Sequence, residues 1–315
     1  MRAALPMAEA IEGMKQAFAQ LSAGRADAPL RTHLAVSDVD STLIMPAHVP
    51  DNHALAIKIV SVFGSNIARD LPLINALVLA LDDSTGQPLA LMEGGAVTAI
   101  RTGAASGAAT DILARPDARV AAIFGSGVQA RTQLEAVCTV RPIEEVRVFS
   151  LGNAEAFVQK MAGYGPIPTN MIIASSPAEA VRKADIICTA TTARAPVFDG
   201  ANLKPGVHIN AIGAFTPEMQ EIDPATVVRS RVVVDSRSAA LEEAGDLIIP
   251  LNAGLIDLDH IATELGDVIL GRAPGRTDSE QITFSTVGVA VQDAAAARIV
   301  LRNGPAMNLG QTVTL

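Results

Sequence analysis

Three cationic side chains stand in settings that could support chemistry on an anionic substrate. Lys58 lies in the apolar run 56–63, which carries no other charge. A lysine in such a run either reaches solvent at a strand edge or meets an anion in a cleft, and the pattern leaves both interpretations open. Arg31 opens a strand-like segment, and Arg101 lies in a helix of small residues. A guanidinium matches a carboxylate with two parallel hydrogen bonds, although each arginine taken singly is more typical of a surface charge.

Gly125 and Gly127 remove side chains where the backbone must turn sharply and approach a ligand. They follow the apolar run 119–124 and precede the helical pattern 128–139, with Ala130 at the third small position. Amide groups at the start of such a helix suit a pyrophosphate. Because a strand precedes the turn and a helix follows it, the G-x-G-x-x-A pattern predicts a dinucleotide site.

The stretch 146–153 is where a Rossmann domain usually places an acidic residue that binds the adenosine ribose. It contains no Asp or Glu, which removes the repulsion against a 2′-phosphate, and Ser150 and Asn153 could hydrogen-bond one. Arg147 lies within the strand and is expected to point elsewhere. The pattern therefore favours NADP(H) slightly and leaves NAD(H) open.

Two further segments end apolar strands with polar or small residues. Thr189, Ala190 and Thr191 close one strand, and Ile212 and Gly213 close the next. The carboxyl ends of strands line the ligand crevice in an open parallel sheet, so we expect these residues at the cofactor, with the nicotinamide near Gly213. A simple strand-end turn is the alternative interpretation of the first segment.

The N-terminal part of the chain predicts a mixed antiparallel sheet with one helix. Residues 7–21 place apolar side chains three or four apart, as in an amphipathic helix. The polar residues 84–87 separate two apolar runs and predict a hairpin. The expected strands are 31–36, 41–47, 56–63, 76–82 and 88–93.

From residue 96 onward helices and strands alternate, as in a doubly wound parallel sheet. A small-residue helix over 96–113 leads into the strand before the glycine turn, and the apolar helix 289–301 is expected to return to the first domain. The other expected elements are strands at 119–124, 145–150, 171–174, 185–190, 207–212 and 231–235, and helices at 128–139, 153–162 and 177–183. The sequence thus predicts an α/β protein in which a Rossmann domain, 113–290, is inserted in a discontinuous α+β domain, 1–112 plus 291–315.

Composition excludes several classes of function. The net charge of −9 argues against a nucleic-acid groove, which needs clustered Lys and Arg with stacking aromatic residues. Two cysteines and five scattered histidines fall short of a disulfide framework or a metal site, so no metal is expected. No apolar run approaches the roughly 20 residues of a membrane span, and charges interrupt any signal peptide near the start. We expect a cytoplasmic enzyme without membrane partners.

The chain resembles the ornithine cyclodeaminase/mu-crystallin family over nearly its whole length. The similarity lies in several short segments that occur in the family's order and spacing. They are Arg31-Thr32, Lys58 to Phe63, Met92 to Gly95 continuing through Ala99 to Ser106, Gly125 to Ala130, Asn210 to Gly213, Ala244 to Asp246 and Ser285 to Gly288.

The resemblance implies a nicotinamide cofactor on the Rossmann domain, a homodimer formed through the discontinuous domain, and a small substrate in the cleft between the domains. By position, Arg31, Met45, Lys58 and Arg101 would bind the substrate, with Lys58 and Arg101 catalytic. The expected cofactor contacts are Thr102, Gly125, Gly127, Val128, Gln129, Ser150, Asn153, Thr189, Ala190, Thr191, Ile212, Gly213, Val287 and Gly288.

Departures from the family pattern bear on the reaction. The cyclodeaminase carries an aspartate after the N-A-x-G segment, where this chain has Phe215, which cannot act as a base. A lysine common before the Ser/Thr-Val-Gly segment is replaced by Ser285, and the leading segment of many relatives is expected to be absent. A protonated cyclic imine accepts hydride without such a base, so these departures favour a reductase.

We therefore predict NAD(P)H-dependent reduction of a cyclic imino acid, with Δ1-pyrroline-2-carboxylate to proline as the leading case. Hydride would pass from C4 of the nicotinamide to the imine carbon, with Lys58 near the imine nitrogen. The alternatives are an ornithine cyclodeaminase, an alanine dehydrogenase or an opine-type reductase. A non-catalytic NADP- or ligand-binding protein of the mu-crystallin type is a further alternative, although a pure binder need not keep all three cations.

Overall fold

The computed structural model describes residues 1–277 and 280–314, apart from the side chain of Ile67, and divides the chain into two units. Unit 1 combines Met1–Arg101 with Val289–Leu315, and unit 2 is Thr102–Gly288. The boundary after Arg101 falls inside the helix Gly94–Leu113. The sequence predicts this boundary after residue 112, at the C-terminal end of the same helix. The second half of that helix belongs to unit 2, where the carbonyl of Thr102 accepts a hydrogen bond from Gln133.

Unit 1 is built on an antiparallel sheet whose strands pair in chain order. The hairpin predicted around residues 84–87 is present, and the central strand pairs with a neighbour on either side. The strands are β1 (Thr32–Ala35), β2 (Asp40–Val49), β3 (Ala54–Phe63), β4 (Ile74–Leu81) and β5 (Pro88–Glu93). The antiparallel sheet expected in this part of the chain is therefore confirmed.

One helix of unit 1 packs against this sheet, and a second helix packs against the first. Helix α1 (Met7–Ser22) buries Ile11, Met14 and Phe18, the stripe that its periodicity predicts. Helix α2 (Gly94–Leu113) follows β5 directly and continues into unit 2. Helix α10 (Ala290–Ala306), the last helix of the chain, packs against α1 and against β2 and β3. The residues of α10 from 290 to 297 are all buried, so any charged group among them lies in the interior of unit 1.

Unit 2 contains a seven-stranded parallel sheet with helices between its strands, which confirms the predicted Rossmann architecture. The strands are β6 (Val120–Phe124), β7 (Glu145–Phe149), β8 (Met171–Ile173), β9 (Ile186–Thr189), β10 (His208–Ala211), β11 (Arg231–Val234) and β12 (Ile282–Ser285). Their order across the sheet is β8-β7-β6-β9-β10-β12-β11. Alternate residues of β6 and β9 join two separate buried apolar clusters, one on each face of the sheet. Burial on both faces explains why these strands read as apolar runs.

Several short elements of unit 2 had no clear sequence signal. Strand β12 is only four residues long and lies between β10 and β11. Its hydrogen-bonded neighbours on both sides define it as a strand, because four residues are too few for a recognisable periodicity. The helices of unit 2 are α3 (Val128–Val140), α4 (Ala154–Met161), α5 (Pro177–Val181), α6 (Pro224–Arg229), α7 (Arg237–Glu243), α8 (Gly245–Asn252) and α9 (Leu265–Ile269). Helices α6 to α9 were not predicted, because five to eight residues give too few turns for a periodic pattern.

Within the described ranges, no helix combines the length and apolar character needed to cross a membrane.

Candidate active site

Lys58 lies on the inner face of β3, the central strand of the unit 1 sheet. Met45 on β2 and Val78 on β4 are its cross-strand partners, and all three side chains are buried. The exposed fraction of Lys58 is only 2%. Of the two interpretations that the sequence left open, the lysine that reaches solvent at a strand edge is therefore wrong.

The amine of Lys58 meets a carboxylate supplied by helix α10. Its Nζ lies 2.8 Å from Oδ2 of Asp293, and Arg101 donates from Nε to the other oxygen, Oδ1, at 3.2 Å. Arg101 also donates from Nη1 to Oε1 of Gln292 at 2.7 Å. Asp293 and Arg101 are buried as well. One carboxylate thus fixes two cations, because each of its oxygens faces a different one.

The electrostatic surroundings make Lys58 an unusual lysine. Burial lowers the pKa of Lys58 to about 8, the charge of Arg101 acts in the same direction, and Asp293 opposes them. The charge of Arg31, which lies just before β1, lowers this pKa further, so Arg31 acts on the same region. We call Arg31, Lys58, Arg101 and Asp293 the cationic cluster. Lys58 and Arg101 share one carboxylate, which leaves an excess of positive charge that suits an anionic ligand.

Asp293 and Gln292 were missed by the sequence analysis, although a signal for them exists. Both lie at the start of the alanine-rich run 290–297, where polar side chains in an otherwise apolar helix resemble Lys58 in its apolar strand. A charged residue inside an apolar pattern is rarely buried without a partner. Two such residues, Lys58 and Asp293, could therefore have been paired as opposite charges before the structure was known.

The glycine turn of unit 2 has the backbone geometry that a dinucleotide requires. Gly125 has φ +102°, and a Cβ there would lie 2.5 Å from the carbonyl oxygen of Ala190, so no larger residue fits without a shift. A Cβ on Gly127 would meet no atom within 4 Å, which marks open space beside the turn. No side chain caps the N terminus of α3 at Gly127. The turn thus offers free space next to the positive end of a helix.

Polar atoms in the first turn of α3 also suit a phosphate ligand. Val128 is exposed, and Gln129 follows it on the same turn. The buried Oε1 of Gln129 and Nε of Arg131 have no hydrogen-bond partner among the described residues. Buried polar atoms normally have hydrogen-bond partners, so two such atoms without partners are consistent with a ligand that supplies the missing hydrogen bonds. The residues present therefore fit a nicotinamide dinucleotide.

The segment after β7 is organised by its own side chains. The hydroxyls of Ser150 and Ser126 are 3.0 Å apart, and the Asn153 side chain caps α4 by accepting from the amide of Ala156 at 2.8 Å. Arg147 is directed away, since its guanidinium donates to Glu145 at 2.6 Å and also to a backbone carbonyl. Because Arg147 is directed away, Ser150 and Asn153 are the polar side chains that the sequence predicted at this position and that stay there in the structure.

The ends of β9 and β10 lie side by side at the carboxyl edge of the sheet. The amide of Ile212 donates to the carbonyl of Thr189 at 3.1 Å, and that of Ala190 donates to Phe124 at 3.0 Å. A Cβ on Gly213 would lie 2.3 Å from the carbonyl oxygen of Thr191, so the two segments touch through their backbones. The structure therefore brings together the two strand-end segments that the sequence could only treat separately.

The remaining predicted cofactor residues lie around the same sheet. Thr102 is buried near the start of the half of α2 that belongs to unit 2. Val287 packs against the apolar core, and the amide of Gly288 donates to Oδ2 of Asp235 at 2.9 Å. Gly288 has φ +82°, a conformation that explains the glycine. Their contact with a cofactor stays a prediction.

Phe215 follows the end of β10, and its side chain is 41% exposed. An apolar ring so exposed, two residues beyond Gly213, supplies no proton acceptor at this edge of the sheet. Ser285, which replaces a lysine common in the family pattern, is the last residue of β12 and is buried. Neither position can thus provide an ionisable group.

With this geometry in view, comparison with known proteins decides the family. The sequence matches the ornithine cyclodeaminase/mu-crystallin family over residues 2–306. The chain belongs to this family. One member, the Δ1-pyrroline-2-carboxylate reductase of Bacillus cereus, is 39% identical over 310 residues, which cover 98% of this chain and 95% of the relative.

Solved structures of the family agree with this membership. The Δ1-pyrroline-2-carboxylate reductase of Thermococcus litoralis, in complex with NADH and L-proline, superposes with a TM-score of 0.93 at 42% identity and covers 99% of this chain and 98% of its own. An archaeal alanine dehydrogenase dimer with bound NAD superposes with a TM-score of 0.90 at 33% identity, covering 98% and 94%. Both structures hold a nicotinamide nucleotide, and the family resemblance inferred from the short segments is confirmed.

Proposed function

We propose that this protein reduces a cyclic α-imino acid with a nicotinamide nucleotide, the leading reaction being Δ1-pyrroline-2-carboxylate to proline. The observation that carries the proposal is the cationic cluster, in which Asp293 holds the buried Lys58 beside Arg101. The relatives named as pyrroline-2-carboxylate reductases support this substrate class, because they match the chain over nearly its whole length.

The arginines of the cluster would bind the substrate carboxylate. Nε and Nη1 of Arg101 are committed to Asp293 and Gln292, which leaves Nη2 to donate to a ligand. A guanidinium fixed in this way loses little conformational freedom when it binds a carboxylate, so its contribution to affinity is larger. Arg31 would add a second positive charge for the same anion.

Lys58 would act at the imine nitrogen. When bound, the reduced nicotinamide supplies a hydride to the imine carbon, and the nitrogen must gain or keep a proton as C=N becomes CH–NH. With its pKa at about 8, Lys58 is mostly protonated at neutral pH yet gives up a proton more readily than an ordinary lysine. The ammonium would donate a hydrogen bond or a proton to this nitrogen, while Phe215 supplies no base for attack by a substrate amine.

The test is a direct assay of the purified protein with NADH and with NADPH. The substrates are Δ1-pyrroline-2-carboxylate, the six-membered Δ1-piperideine-2-carboxylate, and pyruvate plus ammonia, and the loss of reduced nucleotide is followed. We expect turnover of a cyclic imine with a higher kcat/KM than pyruvate plus ammonia. A lack of turnover with both cyclic imines would contradict the proposal.

Two other family activities are outcomes of the same assay. Oxidation of the nucleotide with pyruvate plus ammonia alone would identify an alanine dehydrogenase, the activity in the name of a similar structure. Release of ammonia from ornithine without net consumption of nucleotide would identify a cyclodeaminase. Tight nucleotide binding without any turnover would identify a non-catalytic binding protein.

We further propose that NADP(H) is slightly preferred over NAD(H). The absence of an acidic residue in 146–153 and the hydroxyl of Ser150 support this preference, whereas the diverted Arg147 weakens it. Introducing a carboxylate with Ser150→Asp should repel a 2′-phosphate and raise KM for NADPH more than KM for NADH. Equal changes in the two KM values would place the 2′-position elsewhere.

We propose that the protein forms a homodimer through the outer face of the unit 1 sheet. Ile44, Ile59 and Leu77 form one cross-strand row on this face and are 37%, 42% and 46% exposed, and Leu91 is also exposed. Monomeric proteins rarely expose such contiguous apolar patches. The dimeric state of the similar alanine dehydrogenase supports a second copy as the occupant.

Light scattering of Leu77→Glu tests this assembly. We expect the variant to be monomeric, because a charge would replace an apolar contact in the row. Leu258→Glu, at an exposed leucine of unit 2, is the matched control and should leave the mass unchanged. A wild-type protein that is monomeric, or a Leu77→Glu variant that is still dimeric, would contradict the assignment.

A further inference from the structure

Two buried carboxylates in unit 2 have no cationic partner in the described part of the chain. Glu221 and Asp246 are 0% and 2% exposed. None of the main interactions that act on either group comes from a lysine, an arginine or a histidine. Burying a carboxylate without a cation or hydrogen bonds is costly in free energy. The groups that hydrogen-bond to these two side chains therefore indicate which of them carries a charge.

Glu221 accepts hydrogen bonds with both of its oxygens from the two strand-end segments. Its Oε1 accepts from the amide of Thr191 at 2.7 Å and from the hydroxyl of the same residue at 2.6 Å. Its Oε2 accepts from the amide of Gly213 at 2.7 Å. Glu221 thus ties the end of β9 to the end of β10, and the hydroxyl of Thr191 is committed inward.

Asp246 holds Glu221 in turn, from the first turn of α8. Its Oδ1 accepts from the amide of Glu221 at 2.7 Å and from that of Ile222 at 2.9 Å. One oxygen therefore makes both bonds, which an asparagine could also make. We call Glu221 and Asp246 the carboxylate pair.

The hydrogen bonds distinguish the charge states of the two groups. Burial raises the pKa of Glu221 above its ordinary value, and hydrogen bonds from Thr191 and Gly213 act in the opposite direction. Both of its oxygens accept, from three donors in all, as those of an ionised carboxylate do. Burial, together with the nearby charge of Glu221, raises the pKa of Asp246 to about 8, so Asp246 is mostly protonated at neutral pH. The N terminus of α8 acts in the opposite direction, but the effect of a helix end on a nearby carboxyl is small. The hydrogen bonds therefore assign the one negative charge of the pair to Glu221, which accepts with both oxygens, whereas Asp246 accepts with one.

We propose that Glu221 is a positioning residue that places an uncompensated negative charge behind the nicotinamide-binding edge of the sheet and thereby favours the oxidised, cationic ring. The inference rests on the proposed nicotinamide cofactor. Of the two residues that Glu221 binds, Gly213 is expected near that ring and Thr191 is expected at the cofactor. The oxidised ring is positive and the reduced ring is neutral, so a fixed negative charge favours the form that exists after hydride donation.

Nucleotide binding measures this effect without any turnover. The dissociation constants of NADH, by fluorescence, and of NAD⁺, by displacement of NADH, are compared for the wild type, Glu221→Gln and Asp246→Asn. In Glu221→Gln we expect the dissociation constant of NAD⁺ to rise about tenfold more than that of NADH, which corresponds to ~1.4 kcal/mol. A role in shaping the fold alone would weaken both nucleotides equally, and that result would overturn the proposal.

Asp246→Asn is the matched control. Asparagine keeps both hydrogen bonds to the Glu221 and Ile222 amides, and it replaces a group that is already neutral at neutral pH. We expect the ratio of the two dissociation constants to stay within about twofold of the wild type, a change of less than about 0.5 kcal/mol. A shift as large as in Glu221→Gln would overturn the assignment of the charge to Glu221.

A second measurement keeps the proposal testable if Glu221→Gln does not fold. Glu221 is the one charged group whose interaction with Asp246 contributes to its raised pKa. Above about pH 8 the pair loses its proton and gains a second negative charge. Lys58, whose pKa is also about 8, loses its positive charge over the same pH range in the wild type and in Asp246→Asn. From neutral to alkaline pH, the preference for NAD⁺ over NADH should therefore increase more in the wild type than in Asp246→Asn. A wild-type ratio that changes with pH no more than the ratio of Asp246→Asn does would overturn the proposal.

Nucleotide binding by the wild type and by Glu221→Gln tests the role of Glu221 separately from the proposed reaction. Binding of neither nucleotide to the wild type would refute the cofactor on which both depend. Binding with an unchanged NAD⁺ to NADH ratio in Glu221→Gln would refute only the electrostatic role of Glu221, and the cyclic-imine assay would stand apart from it.

Discussion

The cationic cluster of unit 1 and the carboxylate pair of unit 2 bury charge in opposite ways. In the cluster one carboxylate, Asp293, holds Lys58 and Arg101 through side-chain contacts and leaves positive charge in excess. In the pair, Glu221 and Asp246 are held by backbone amides and one hydroxyl, and negative charge is in excess. Ion pairs or hydrogen bonds stabilise each site, and each site nevertheless keeps a net charge.

The difference follows from what each element can supply. Helix α10 and strand β3 expose only side chains to each other, because their backbone groups are already paired within the helix and the sheet. The segments after β9 and β10 are loops with free amides, which can solvate a carboxylate without a cation. A residual charge of either sign therefore marks where a ligand of the opposite sign would be favoured.

Removal of Lys58 should have the largest effect on activity. Lys58→Met keeps the volume and the apolar stem but removes the ammonium, and we expect kcat/KM for the cyclic imine to fall about 10²–10⁴-fold, the range for a positioned proton donor. The control is Lys160→Met at an exposed lysine of α4, which should change kcat/KM little. Full activity of Lys58→Met would remove Lys58 from the mechanism.

Asp293→Asn tests whether one carboxylate organises the cluster. Removing one partner of a buried ion pair costs about 3–5 kcal/mol in the free energy of unfolding at neutral pH, so the thermal midpoint should fall. Because Asp293 raises the pKa of Lys58, its loss should lower that pKa below about 8. The alkaline limb of kcat/KM, where Lys58 loses its proton, should therefore move to lower pH than in the wild type.

The sign of the stability change with pH provides a check on the same variant. The pKa of Lys58 is lower in the folded than in the unfolded protein, so between the two values the unfolded state binds more protons. The contribution of Lys58 to stability thus increases as pH rises through its folded-state pKa. The deficit of Asp293→Asn should shrink at alkaline pH, and a deficit that grows there would contradict the ion-pair account.

The glycine turn should give the smallest effect on stability and a selective effect on binding. Gly127→Ala meets no atom within 4 Å, so the thermal midpoint should be unchanged while the dissociation constant of NADH rises about tenfold, or ~1.4 kcal/mol. Gly125→Ala is the contrasting variant, since φ +102° and a carbonyl at 2.5 Å should cost roughly 1–2 kcal/mol in stability. Equal stability losses in both variants would contradict the open space at Gly127.

The predictable parts of the fold were those with a long or repeated pattern. The amphipathic stripe of α1, the hairpin β4–β5 and the strand–turn–helix around Gly125 each depend on neighbours in sequence, so local periodicity and turn chemistry were sufficient. Strand β12 was not predictable in this way, because its place between β10 and β11 depends on residues far away in the chain.

The cationic cluster and the carboxylate pair likewise contain residues that the local sequence points to and residues whose role depends on distant segments. Lys58 and Arg101 attracted attention because charge in an apolar run is unusual, but their partner Asp293 lies 192 residues beyond Arg101. Glu221 was not predicted at all, since it stands in a polar loop where glutamate is ordinary. Its burial, and its bonds to Thr191 and Gly213, arise only when the ends of β9 and β10 become neighbours.

By itself the sequence determined the two kinds of sheet, the glycine turn, the family and the identity of the cations. Each of these follows from residue type and short-range spacing, which are fixed along the chain. Tertiary structure alone decided that Lys58 is buried against Asp293 and that Glu221 bridges two strand ends. The physical reason is that the charge state of a buried group depends on desolvation and on partners, and both are set by segments that only folding brings into contact.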